Sequence, residues 1–385
     1  MKIFFINAVC GTGSTGRMVA DMAAYLRRRG HEAMAAYGVG RGPEWAVKIN
    51  HKPGSYLHNA LSRLTDHAGL YSAPQTQYLI RKIREFGPDI VHIHTLHGYY
   101  VNYELLCAYL AEAGIPVVMT LHDCWTFTGH CAHFTQAGCA RWRTRCESCP
   151  QLGRYPVCYG PGDVSRNFHR KQAAFTGLPD LTLVTPSRWL ADLAKRSFLG
   201  MFPIHVIPNG VDRSVFRPTA GVELPKDRPM VLGAAGVWEE SKGLSDFFRL
   251  AELLPEYQIV LAGLTPRQQK ALPPNILGLG PIADPKALAA LYTAADIFVN
   301  PTCEDTFPTV NLEAQACGTP VVTYGACGSP ETLLPGTGRV VPVGDTEALA
   351  KAIRAGVPAP ADTAPLDREL SCSRYLGLYE QLAGR

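Results

Sequence analysis

No apolar run in the chain approaches the roughly 18 residues that a membrane-spanning helix needs, so contact with a bilayer is expected to be peripheral at most. A signal-peptide core is missing too: Lys2 is followed only by Ile3-Phe4-Phe5-Ile6, which reads as a buried strand. The expected location is the cytoplasm, with the inner face of the cell membrane as a place to dock. Charge of one sign is also scarce. The net charge is +4, which supplies no reason to invoke a nucleic-acid partner. Lys and Arg gather only locally, at Arg27-Arg28-Arg29, at Arg81-Lys82 with Arg84, and at Arg141, Arg143 and Arg145. Such groups are solvated helix faces by default. Otherwise they form a basic face toward anionic lipid or a lipid-linked pyrophosphate.

What is present describes a folded α/β protein. At 385 residues, 46% of them hydrophobic, the chain exceeds what one core serves, and two domains are expected. Short apolar runs alternate with helix-patterned stretches, the signature of a parallel sheet flanked by helices. Lys2 to Asn7 reads as a strand, a glycine-rich turn follows, and Met18 to Arg29 reads as a helix that stops at Gly30. The rhythm restarts at Met230-Val231-Leu232-Gly233-Ala234-Ala235. Between the two halves, Pro208-Asn209-Gly210 and the charged, proline-bearing stretch from Pro218 to Pro229 mark a junction. We therefore expect two Rossmann-like, doubly wound domains facing across a cleft, at residues 1–210 and 211–365, with a last helix in 366–385 packing back on the first domain. Ligands should lie at the carboxyl ends of the strands.

After the strand Ile297-Phe298-Val299 comes a short acidic loop and a helix starting near Thr309. Its N-terminus presents free N–H groups and a positive dipole end, suited to a diphosphate. Asp305 precedes that helix and Glu313 projects from it about one turn in, on the side that can reach a ribose. Gly325 to Glu331 is expected to open a second helix toward the same crevice. In the first half, Gly11-Thr12-Gly13-Ser14-Thr15-Gly16 follows the first strand, without the GxGxxG frame and without a Walker lysine. Gly13, Ser14 and Gly16 are candidates to approach the donor phosphate or the acceptor. Thr120-Leu121-His122-Asp123 closes another strand at its carboxyl edge. His92 and His94 read as structural, and His97 as a loop residue within reach of an acceptor.

These segments together resemble the acidic-x7-Glu signature of retaining family 4 glycosyltransferases. The likeness rests on Asp305 to Glu313, then Gly318-Thr319-Pro320-Val321-Val322 and Gly328-Ser329-Pro330-Glu331, with Pro208-Asn209-Gly210-Val211-Asp212 between the domains. The Gly-Ser-Thr-Gly turn, the His122-Asp123-Cys124-Trp125 segment and the cysteine insert are similar to those of colanic-acid-type exopolysaccharide transferases. The resemblance implies the GT-B fold and transfer from a nucleoside-diphosphate sugar, UDP- before GDP-, to a glycan or a polyprenyl-pyrophosphate-linked acceptor. It implies that Glu313 holds the ribose hydroxyls, Asp305 the sugar hydroxyls, and Phe307, Pro308 and Thr309 the diphosphate. Lys242 would neutralise the leaving diphosphate, and His122 would face the donor sugar, with Asp123 orienting it or the acceptor. No cofactor is implied for catalysis. Two positions depart from the pattern: Val237 stands where an Arg is usual, and Asp305 where Glu is common, with Glu304 beside it. Two other readings stand beside transfer: a sugar-nucleotide epimerase, and a non-catalytic sugar-nucleotide-binding subunit of a polysaccharide assembly complex.

The insert at 124–158 needs its own explanation. Twelve cysteines without a leader point to thiols or metal ligands more than to disulfides. Cys131, Cys139, Cys146 and Cys149 are candidate ligands for a structural zinc, with disulfides or free thiols under Trp125 and Trp142 as the rival readings.

Overall fold

The computed structural model describes residues 1–219 and 227–384. Of the expected junction segment from Pro218 to Pro229, residues 220–226 lie outside the described residues. Contacts divide the chain into two units, Met1–Pro208 with the residues from Cys372 onward, and Asn209–Ser371.

In the first unit the elements run β1 (Lys2–Asn7), α1 (Gly13–Arg28), β2 (Glu32–Tyr37), β3 (Ala46–Lys48), α2 (Lys52–Thr65), α3 (Ala73–Phe86) and β4 (Ile90–Ile93). They continue with α4 (Tyr103–Ala113), β5 (Val117–Thr120), α5 (Val164–Thr176), β6 (Leu181–Thr185), α6 (Arg188–Lys195) and β7 (Ile204–Val206). All seven strands are parallel, in the order β3-β2-β1-β4-β5-β6-β7. Alternation along β1 sends its side chains to two cores. Ile3 and Phe5 pack with Val19, Met22 and Leu26 of α1, whereas Phe4 and Ile6 join Leu79, Ile83 and Leu106 on the other face. The insert adds Phe127, Phe134 and Trp142 to that second core, with Phe134 and Trp142 stacked at 5.0 Å. Aromatic burial thus orders a segment poor in aliphatic residues.

The second unit contains β8 (Met230–Ala234), α7 (Leu244–Leu253), β9 (Gln258–Ala262), α8 (Pro266–Lys270), β10 (Ile276–Gly278), α9 (Pro285–Ala294) and β11 (Ile297–Asn300). Then come α10 (Thr309–Ala316), β12 (Val321–Tyr324), β13 (Arg339–Val341) and α11 (Thr346–Ala355). Its six parallel strands are ordered β10-β9-β8-β11-β12-β13. A last helix, α12 (Arg368–Ala383), begins in the second unit and ends in the first. There Tyr375, Tyr379 and Leu382 are buried with Ile3 and Phe5.

Each sheet changes direction once. In the first the order reverses between β1 and β4, in the second between β8 and β11. The loops leaving two adjacent strands part company there and leave a crevice, where open α/β sheets hold ligands.

Candidate active site

In the second unit the crevice is walled by the loop after β8 and the loop after β11. The first passes through a 3-10 turn, Glu240–Lys242, into Gly243. The two loops are laced together by the Cys303 N–H donating to the Ser241 carbonyl at 2.8 Å. Gly243 has φ of +73°, and a Cβ on it would lie 2.5 Å from the Pro301 carbonyl oxygen. Only glycine lets the loops meet this closely. Gly243→Ala should cost about 2–4 kcal/mol, from strain plus collision. Thermal melting should record the loss, and donor turnover should fall with it because the neighbouring Lys242 is displaced.

That closeness brings the Lys242 Nζ to 2.7 Å from the Asp305 Oδ2. Asp305 is fixed twice more: its Oδ1 accepts the Phe307 N–H at 3.1 Å, and its carbonyl accepts the Gly328 N–H at 3.1 Å. Glu304 beside it is buried. The Phe307 side chain turns into the core with Leu312, so only its backbone is left for a ligand. Pro308 caps α10 without a side-chain hydrogen bond to the helix. The first N–H groups of α10 are therefore not taken by a capping side chain, and Thr309 is half-buried among them.

Glu313 is buried within α10, and its Oε2 accepts the Tyr292 hydroxyl at 3.1 Å. α10 itself is held by buried amides that sequence reasoning passed over. Asn300 donates to Asn311 at 2.8 Å, Asn311 donates to the Thr332 hydroxyl at 2.8 Å, and Gln315 donates to the Thr332 carbonyl at 2.8 Å. The signal was available: Asn311 and Gln315 lie four apart and so share one face of the helix. The expected second helix start is corrected here. After β12 only a 3-10 turn, Ser329–Thr332, forms, because Pro335 just beyond it has no N–H to extend the hydrogen bonding and keeps Leu334 out of the helical region.

In the first unit the reversal point lies between the ends of β1 and β4. Asn7 ties the two loops, donating to the Val9 carbonyl at 2.9 Å and accepting the Thr95 N–H at 3.3 Å. Sequence reasoning did not single out Asn7. Gly13 and Ser14 are exposed at the start of α1, where no side chain caps the helix. Gly16 is placed differently. It is buried, its carbonyl accepts the Gly11 N–H at 2.8 Å, and a Cβ on it would stand 3.0 Å from Val9. Its missing side chain lets the turn close, while Gly13 and Ser14 are exposed.

His122 follows β5 and stacks on His94, with ring centroids 5.2 Å apart and nitrogens 2.9 Å apart. Burial pushes His122 down to about 4, and it pushes His94 and His92 well below the ordinary range. His122 is accordingly neutral near pH 7, a hydrogen-bonding group and not a cation. His97 lies 2.7 Å from the Asp123 carboxylate and 3.0 Å from the Tyr155 hydroxyl. Burial would raise Asp123, but His97, with His133 and the Trp125 N–H, outweighs that and holds the carboxyl below its usual range. Asp123 thus pairs with His97, an arrangement the sequence left open. His92 is a structural link, bonded to the Tyr379 hydroxyl at 2.6 Å and to Thr120 at 2.8 Å.

Neutral buried histidines make stability depend on acid. His58 of α2 is also pushed down by burial, to about 4, from an ordinary value near 6.5. The unfolded chain binds these protons more readily, so the stabilisation is complete above about pH 6.5 and is lost as pH falls toward 4. At about pH 5 His58 alone should remove about 2 kcal/mol. Urea midpoints measured across this range should fall on the acid side, and His58→Gln should flatten the slope.

Cys131, Cys139, Cys146 and Cys149 line one small cavity with His130, Phe134 and Trp142. No disulfide joins any of the twelve cysteines. Cys131 hydrogen-bonds Cys149, which lowers the Cys149 thiol, and backbone N–H groups of Gly129 and Gln151 donate to the sulfurs of Cys146 and Cys149. The His130 Nδ1 pairs with Asp66, and its buried Nε2 has no partner. Among the described residues no three His, Cys, Asp or Glu side chains are already arranged to hold a metal ion.

Residues 15–215 match the family described as Glycosyltransferase Family 4, and residues 228–356 match that described as Glycosyl transferases group 1. The chain belongs to glycosyltransferase family 4. It is 24% identical over 372 residues to the putative colanic acid biosynthesis glycosyl transferase WcaC of Escherichia coli K12, covering 89% of this chain and 87% of that protein. Among solved structures, the sucrose-phosphate synthase of Thermosynechococcus elongatus superposes with a TM-score of 0.66 at 20% identity, over 99% of this chain and 96% of that one. Anabaena HepE in complex with UDP-glucose gives 0.60 at 17% identity, over 100% and 98%. At these identities the structures establish the fold, GT-B, and the family establishes a glycosyltransferase. No described helix of this transferase is long and apolar enough to cross a membrane.

Proposed function

We propose that this glycosyltransferase moves a hexosyl or N-acetylhexosaminyl group from a nucleoside-diphosphate sugar to a glycan or lipid-linked oligosaccharide, with retention, in the synthesis of a cell-surface polysaccharide. The observation that carries the reading is the Lys242–Asp305 pair at 2.7 Å, seated at the strand reversal beside the uncapped start of α10. A diphosphate at that helix start would take its N–H groups. The Lys242 ammonium would meet the charge that grows on the leaving diphosphate. Asp305 would hold donor sugar hydroxyls and Glu313 the ribose. HepE, a structural relative, holds UDP-glucose, which supports UDP- ahead of GDP-sugars, and the WcaC likeness supports the exopolysaccharide setting.

In this reading the acceptor hydroxyl oxygen bonds to the anomeric carbon on the face from which the diphosphate departs. The carbon–oxygen bond to the diphosphate breaks, and the hydroxyl proton passes to a departing phosphate oxygen. His122, being neutral, would orient the sugar by hydrogen bonding, and His97 with Asp123 would meet the acceptor. Val237 is 66% exposed and offers no donor in place of the usual Arg, so Lys242 carries more of the diphosphate charge.

The test is turnover of UDP- and GDP-sugars with and without a polyprenyl-pyrophosphate-linked acceptor, with the anomeric configuration of the product read by NMR. A product of retained configuration, formed only with acceptor, is expected. An epimer formed from donor alone, or binding without turnover, would reject the proposal. A structural zinc on Cys131, Cys139, Cys146 and Cys149 belongs to the same proposal, supported by their shared cavity and requiring those side chains to close in. Metal analysis should find about one zinc per chain; metal-free protein with titratable thiols removes it.

A further inference from the structure

Helix α2 is packed inside out. The residues Pro53, Tyr56, Leu57, Ala60, Leu61 and Leu64 fall at i, i+3, i+4, i+7, i+8 and i+11, the apolar stripe of an amphipathic helix. Such a stripe normally meets the core. Here it points outward: Tyr56 is 70% exposed and Leu57 and Leu64 are 63% exposed, with Pro53 and Ala60 also exposed. The face turned to the protein is polar. His58 and Ser62 are buried, with His58 bonded to the Ser72 hydroxyl at 2.7 Å and accepting the Gly69 N–H at 3.2 Å. Those bonds fix the helix in this orientation, because turning it over would strand His58 and unmake both.

The outward face continues onto the residue that follows the insert. Tyr159, 72% exposed, donates its backbone N–H to the Arg63 carbonyl at 2.7 Å, and its hydroxyl accepts from the Arg63 guanidinium at 3.2 Å. Lys52 and Arg63 stand at the two ends of α2, and no Asp or Glu occurs from Lys52 to Thr65. The next acid, Asp66, is buried against His130.

We propose that this face of α2, with Tyr159, rests on an anionic membrane. Leucines would enter the acyl boundary, tyrosines would sit at headgroup level, and Lys52 and Arg63 would meet lipid phosphates. A helix of 14 residues is about 21 Å long, enough to lie in the interface and too short to cross it. A second copy of the chain fits worse, because a two-fold interface brings this face against itself and so sets cations against cations, with no acid from Lys52 to Thr65 to offset them. An acidic protein partner would suit the cations but not the wide apolar stripe between them.

Sedimentation with vesicles tests this without any donor turnover, so its failure is separate from failure of the transferase reading. Full-length protein should bind vesicles of phosphatidylcholine mixed with phosphatidylglycerol and leave vesicles of phosphatidylcholine alone. L57D combined with L64D should weaken binding about tenfold or more. Lys52→Gln and Arg63→Gln should each weaken it about fivefold at low salt. Lys52, Leu57 and Leu64 are exposed, so their variants should keep the wild-type melting temperature. Absence of wild-type binding, or binding unchanged by L57D with L64D, overturns the proposal. So does a concentration-dependent dimer that L57D with L64D abolishes in the absence of vesicle binding.

Discussion

Lys242→Ala should lower kcat about a thousandfold, the scale of removing one donor aimed at transition-state charge, while changing the donor KM little. In the proposed transfer the ammonium would matter most as the diphosphate takes on charge, so its loss would fall on the chemical step and not on ground-state binding. Folding should hardly notice. The Lys242 and Asp305 side chains are 30% and 26% exposed, and a pair so open to solvent contributes no more than about 1 kcal/mol. Release of nucleoside diphosphate in single-turnover experiments checks the kinetic half of this expectation, and thermal melting the other. An unchanged kcat would leave the 2.7 Å contact as a surface ion pair and no more. Asp305→Asn separates the partners: it keeps the bond from the Phe307 N–H and removes only the charge.

Glu313→Ala should act on the other parameter. If its carboxylate holds two ribose hydroxyls through charge-assisted hydrogen bonds, the loss of both costs about 3–5 kcal/mol, roughly a hundred- to a thousandfold or more in kcat/KM, chiefly through donor KM. The deletion also leaves the Tyr292 hydroxyl without the carboxylate it donates to at 3.1 Å, in a site where both residues are buried. Tyr292→Phe is therefore the informative companion. It keeps the carboxylate and removes a hydrogen bond to it, so donor KM should rise by about tenfold, the low end for one hydrogen bond to a charged group, with kcat unaltered. Isothermal titration with UDP measures both variants free of any acceptor.

Local patterns read well in this chain. Lys2 to Asn7 has the apolar density of a buried strand and forms β1; a helix beginning near Thr309 was expected after the acidic loop, and α10 starts at Thr309. Periodicity and turn residues act over a few positions, so they survive any arrangement of the sheet. The α2 stripe shows the limit. Its spacing marks a helix but not which face is buried, since a hydrogen-bonded His58 outcompeted the leucines for the inner side. Gly16 shows another: its spacing matches a ligand loop, and only the folded turn shows that a Cβ there would stand 3.0 Å from Val9.

From the sequence alone came the two α/β halves, the family likeness, and the Asp305 and Glu313 carboxylates flanking a helix start. Tertiary structure decided that Lys242 and Asp305, from loops 63 positions apart, meet at 2.7 Å, that His122 stacks on His94, and that α2 faces outward. The reason is that strand order is set by hydrogen bonding between distant segments. Once β8 and β11 pair side by side, the loops leaving them are forced into one crevice.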